Sequence, residues 1–155
     1  MNDPDPADAK ASLQSSRATV MAEIEKVGKQ LATDGATLAE ASGKYSVCSS
    51  APTTSLEYGG GGKLAGDPRP VEERIDAAAA VLEKDGWEVV ATSKENASAK
   101  RPYANLEKDG LRLSLNPDVL RGSDALVFNI VGECLPATKQ QVGELGGTDT
   151  IAAQK

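Results

Sequence analysis

Nucleophilic chemistry in this chain falls to serine and lysine, because its 155 residues include no histidine. That absence excludes Ser-His-Asp and Cys-His catalysis, His-ligated metals and His-based pH switching. Ser93-Lys94 and Ser98-Ala99-Lys100 are ordinary pairings in a chain rich in both residues and do not define a Ser-Lys dyad. Acid/base work would need a carboxylate pair drawn from Glu88, Glu95, Glu107 and Asp109. Their positions in strand-like and turn-like segments read instead as a solvated surface.

The run Gly59-Gly60-Gly61-Gly62-Lys63 invites a phosphate-loop reading. That motif needs a glycine at position 57 and a hydroxyl at position 64, where this chain has Glu57 and Leu64. A flexible linker is the better expectation. Asp3, Asp5 and Asp8 mimic the start of a calcium loop without its glycine or closing glutamate, so helix capping explains them better. No cofactor or metal is expected. Asn96-Ala97-Ser98 fits a glycosylation sequon, a triplet that arises often by chance. The formal net charge is −6 with no basic cluster, which argues against nucleic acid as a partner.

Two features remain as candidate partner-binding positions. Arg101, Tyr103 and Arg112 lie on strands flanking one hairpin, and Arg and Tyr are the residues that build binding hot spots. Ordinary cross-strand packing is the competing explanation. Tyr58 and Lys63 fall in a long segment, 51–70, without periodicity. Loops of that length are usually functional or mobile, so Tyr58 is either an interaction anchor or a ring folded back over a sheet.

Cys48 and Cys134 belong to no CxxC or metal spacing. Either they are two buried thiols, which pack as small hydrophobes, or they form a disulfide. Their matched positions at the two ends of the folded region favour the disulfide and, with it, an exported protein. Such a bridge contributes ~4–5 kcal/mol in the chain-entropy model. No stretch approaches the roughly 18 apolar residues of a membrane-spanning helix. The first residues carry neither the basic nor the apolar region of a signal peptide, so either the protein is cytosolic or a signal has been removed.

The elements that must position these residues follow from periodicity. Residues 1–43 form a helical segment with an apolar stripe of Leu13, Val20, Met21, Ile24, Val27 and Leu31, capped near Asp8 and stopped at Asp34-Gly35. A short turn of helix is expected over 36–42. The domain proper is expected over 44–137, since all five aromatics lie between Tyr45 and Phe128. It comprises a strand at 44–50, a helix from Pro70 to Lys84 and a strand at 87–92. The edge strand 97–106, the alternating strand 111–116 after Asp109-Gly110, and the apolar strand 125–134 complete it. Residues 138–155 read as a flexible tail. The expected class is α+β, an antiparallel sheet of four to five strands with helices on one face, in the order α-β-α-β-β-β-β.

A resemblance rests on several short pieces of this order. They are the Ala-rich first helix, then Gly43-Lys44-Tyr45-Ser46-Val47-Cys48, then Lys84-Asp85-Gly86-Trp87, Lys108-Asp109-Gly110-Leu111 and Val131-Gly132-Glu133-Cys134. Over residues 8–137 the chain resembles the mature part of small exported lipoproteins of high-GC Gram-positive bacteria. The resemblance implies an extracytoplasmic location, outside the cell or on the outer face of its membrane, and pairing of Cys48 with Cys134. Membrane contact would come through a lipid on an N-terminal cysteine that this sequence does not contain. Such proteins are mostly of unknown function, so the resemblance transfers no catalytic residue. The function expected is a non-catalytic envelope module binding a protein or other envelope ligand. The alternative is a small carboxylate-dependent hydrolase or transferase acting on envelope material.

Overall fold

A computed structural model describes residues 5–33, 35–50, 54–118 and 125–153. The expected stop at Asp34, the first three residues of the 51–70 segment, Asp3 and the last two residues lie outside that set. Helix α1 spans Pro6–Leu31 and is followed by β1 (Thr37–Ser49) and β2 (Ser55–Ala65). Helix α2 (Val71–Lys84) leads into β3 (Glu88–Thr92), β4 (Ala104–Lys108), β5 (Leu111–Pro117) and β6 (Leu126–Val131). The short β7 (Leu135–Pro136), α3 (Lys139–Glu144) and β8 (Thr148–Ala153) complete the order.

The class is α+β, as periodicity predicts, but the sheet has eight antiparallel strands rather than four or five. Its order is β3-β4-β5-β6-β2-β1-β8, with β7 paired to the start of β2. The added strands are β2, β7 and β8, and two further segments differ from expectation. The expected loop 51–70 contains β2, which runs between β1 and β6 as a central strand. The expected helical turn at 36–42 is the beginning of β1. The expected strand 97–106 is regular only from Ala104, after a 3₁₀ turn at Ser93–Glu95 and an irregular stretch. The segment 138–155, read as a tail, supplies α3 and β8. Thr138 and Gln141 form a reciprocal capping box at the start of α3, which composition does not register.

The core forms where helices lie on one face of the sheet. From α1, Val20, Ile24, Val27 and Leu31 join Leu64, Leu106, Leu113, Leu115, Phe128 and Ile130 of the strands. From α2, Ile75, Ala78 and Leu82 enter the same core. A smaller cluster of Leu13, Leu56 and Ala137 lies beneath α3. Helix α1 begins at Asp5, whose side chain accepts from the N–H groups of Ala7 and Asp8, so the cap is Asp5 and Asp8 sits in the first turn. The two-residue turn Asp109-Gly110 has φ of 50° and 81°, the all-positive combination that joins twisted antiparallel strands tightly.

Lys108, just before that turn, clamps the layers together. Its ammonium lies 3.3 Å from Glu23 of α1 and 3.3 Å from Asp85, and 5.5 Å from the centre of the Trp87 ring.

Cys48 and Cys134 form a disulfide, with Cα atoms 5.9 Å apart and a sequence separation of 86. It ties the end of β1 to the segment joining β6 and β7. Thiol titration of the denatured, unreduced protein is expected to find no reactive thiol; two would contradict the bridge. Ile24 is fully buried in the core that α1 shares with the sheet. Ile24→Ala is therefore expected to lower unfolding stability by about 2–5 kcal/mol in urea denaturation, whereas an unchanged midpoint would mean that α1 contributes little.

Candidate functional site

Alternation along β2 divides its side chains between the two faces of the sheet. Leu56, Tyr58 and Leu64 point into the core, while Glu57, Gly59, Gly61 and Lys63 belong to the outer face. Strand register sets neighbours on either side of the outer set. Lys44 of β1 and Val131 of β6 flank Gly59; Ser42 and Asn129 flank Gly61; Glu40 and Val127 flank Lys63. With no side chains in the middle of these rows, the outer face is left with a groove one strand wide. Its volume is about 480 Å³, and Ser46 of β1 and Thr148 of the adjoining β8 complete its β1 side.

Each end of the groove is held by charges. At one end the Arg112 guanidinium lies 3.1 Å from Glu57. At the other the Lys63 ammonium sits 3.3 Å from Asp118 and 3.6 Å from Glu40. The hydrogen bond to Asp118 raises the Lys63 pKa above its ordinary value, with Glu40 adding to the effect. Lys63 thus stays charged at neutral pH.

The glycine floor is set by backbone contacts. A Cβ at Gly61 would lie on the Phe128 carbonyl, and one at Gly60 on the Ser42 carbonyl. A Cβ at Gly62 would meet the Glu40 carbonyl oxygen at 2.6 Å. The run is neither a linker nor a phosphate loop, since it is strand on both sides of the candidate cradle and no helix opens after Lys63.

Directly beneath the groove lies a second polar cluster, on the core side. The Tyr58 hydroxyl donates to Asp149 Oδ2 at 2.8 Å, and Arg17 Nε of α1 donates to the same oxygen at 2.9 Å. Asp149 on β8 pairs with Gly43 on β1, and a Cβ at Gly43 would stand 2.6 Å from the Tyr58 hydroxyl. Glycine at that position is what lets the ring reach across β1. Tyr45 packs edge to face on Tyr58, ring centres 4.9 Å apart, and donates to the Leu13 carbonyl at 2.7 Å. Arg17 and then Tyr58 hold the Asp149 carboxyl below its ordinary range. Burial first, and Asp149 second, push the Tyr58 phenol above its ordinary value.

The four candidate positions separate. Tyr58 is 1% exposed and lies in a strand, so it is no mobile anchor and presents no surface to a partner. Arg112 stands at the end of the groove. Tyr103 lies at the far end of the β4–β5 hairpin from Arg112, because Ala104 pairs with Leu115 and Glu107 with Arg112. Its hydroxyl accepts from Asn96 Nδ2 at 3.2 Å, and its N–H donates to Ser93 Oγ at 3.0 Å. Arg101 is exposed in the bend before β4 and is not on the strand. The hairpin therefore does not gather Arg101, Tyr103 and Arg112 into one patch. The groove residues Lys44 and Asn129 and the pair Arg17–Asp149 had no motif to mark them. Their signal was the even spacing of Leu56, Tyr58 and Leu64 through the glycines.

The carboxylates proposed for acid/base work also have places. Glu88 and Glu107 are cross-strand partners, both exposed on the outer face, with Arg112 opposite Glu107. Asp67 is buried and is gripped by Arg69 through its guanidinium at 2.6 Å and its N–H at 3.0 Å, which brings its pKa down to about 2. Among the described residues, no group of three or more Cys, Asp or Glu side chains is placed to hold a metal ion. No helix among them is long and apolar enough to cross a membrane. Comparison with protein-family models, with curated proteins and with solved structures gives no match.

Asp67 and Asp149 are both held below the usual carboxylate pKa in the folded chain. Their stabilising contribution is present above the unfolded value near 4 and is lost as pH falls toward the folded one. Asp149→Asn is expected to flatten the decline in stability between about pH 4 and 2, read from urea midpoints at several pH values. Tyr58→Phe, which removes one charged hydrogen bond, is expected to cost about 1–3 kcal/mol at neutral pH. A pH profile unchanged by Asp149→Asn would mean that the carboxylate contributes no specific stabilisation.

Proposed function

We propose that this chain is an extracytoplasmic binding module of the cell envelope that takes its ligand in the groove along β2. The observation that carries this reading is the groove itself. A central strand carries glycine at four consecutive positions, and the groove over it is lined by hydroxyl, amide, ammonium and carboxylate groups together with two valines. Concave sites with a few convergent polar groups are where ligands bind. The disulfide supports the location, since such bonds persist in oxidising compartments. The resemblance to exported lipoproteins supports the same placement. The role is recognition, because the charged groups at the groove's ends are engaged in ion pairs that shape it.

Co-sedimentation with insoluble cell-wall material from a high-GC Gram-positive bacterium tests the proposal. The unaltered chain is expected to sediment with the wall. Asn129→Trp, which fills the groove from an exposed position, is expected to leave it in the supernatant with an unchanged melting temperature. Wall binding that is absent, or that the substitution does not reduce, would overturn the reading.

A further inference from the structure

The groove has a shape and a chemistry that narrow its ligand. It is one strand wide, open to solvent and flanked at each end by an ion pair, so it suits an extended chain lying parallel to β2. The charges around it balance: Lys44, Lys63 and Arg112 stand against Glu40, Glu57 and Asp118. Such a balance gives no net field to draw in a polyanion or a polycation.

A peptide has little to gain on this surface. The backbone groups of β2 are already committed to ladders with β1 and β6, and a peptide on the face of the sheet cannot extend either ladder. A sugar hydroxyl, by contrast, both donates and accepts. Ser42, Ser46, Thr148 and the Asn129 carboxamide can each do the same. Opposite the hydroxyl-bearing β1 wall, Val127 and Val131 form an apolar wall that matches the C–H face of a sugar ring. The glycine floor lets that ring come down to the backbone.

We propose that the groove takes a short, uncharged oligosaccharide, laid along Gly59–Gly61 between the hydroxyls of β1 and the valines of β6. The proposal rests on the binding-module reading and adds the ligand class to it. Among the described residues no aromatic ring lines the groove, so affinity comes from hydrogen bonds without ring stacking, and the dissociation constant falls in the millimolar range.

Amide chemical shifts of the full ¹⁵N-labelled chain test this directly. The probes are maltotetraose, mannotetraose and N-acetylchitotetraose, with a heparin-derived tetrasaccharide and an unstructured octapeptide as comparators. At least one neutral tetrasaccharide is expected to shift the amides of Lys44, Gly59 and Gly61 and the Asn129 side-chain amide, saturating at millimolar concentration. Asn129→Trp and Lys44→Ala, both at exposed positions, are expected to weaken that titration about tenfold or more. Saturable shifts at these residues with the heparin fragment or the peptide, and none with the neutral sugars, would overturn the ligand class and leave the groove as a site. If no probe shifts the groove while wall binding remains sensitive to Asn129→Trp, the ligand class again fails by itself. If wall binding is absent as well, both readings fall.

Discussion

The close approach of three backbones at Gly59–Gly62 is the constraint on which the rest of the structure depends. β1 and β6 flank β2 so tightly there that any Cβ at Gly60 or Gly61 would coincide with a neighbouring carbonyl group. Glycine in a strand normally costs stability, through chain entropy and lost packing. Here that cost is offset by what it permits on each side. On the core side β1 and the Phe128 ring occupy the space that a Cβ at Gly60 or Gly62 would need. On the outer side the missing side chains leave the groove. One sequence feature therefore shapes the packing face and the candidate recognition face together.

Sequence patterning revealed the parts of the fold in which large residues alternate. The stripe of α1, the face of α2, the Asp109-Gly110 turn and strands β5 and β6 all follow from apolar spacing, and the structure places them as expected. β2 and β8 escaped for a physical reason. A strand is recognised by side chains that want a pleated, half-buried surface, and β2 has none over its middle four positions. Its flanks did carry the signal. Leu56, Tyr58 and Leu64 all sit at even positions, and only the glycines between them concealed the period. β8 has mostly small residues and is fixed by tertiary contact, through pairing with β1 and the Asp149 carboxylate. No local preference encodes such an interaction. The candidate site was legible to the same limited degree: Arg112 lies at the groove's end, whereas Lys44 and Asn129 became neighbours only through register.

Charge is distributed with a division of labour. On the outer face, ion pairs are partly exposed and mainly orient side chains, since solvent screens their net worth. Below the sheet the Arg17–Asp149–Tyr58 cluster links α1, β8 and β2 across β1. The lowered carboxylate and raised phenol pKa values are two records of the same arrangement. Both favour an ionised aspartate accepting from a neutral tyrosine and a charged arginine at neutral pH. Substitution at Gly43 would push the Tyr58 ring away, so an apparently minor glycine on β1 governs whether the cluster can assemble.

The strand order also dictates a sequence of events during folding. β1 and β2 are joined by a short connection and can form a hairpin early, with only local chain closure. The other edge of β2 must wait for β6, which begins more than sixty residues later at Leu126. Until then the glycine strand exposes a row of unpaired N–H and C=O groups, the arrangement that invites wrong pairing. Long-range closure of this kind makes folding slow relative to a helical protein of similar size. The hairpin becomes part of a stable sheet only after most of the chain is available, so the polypeptide remains extensible for much of its emergence.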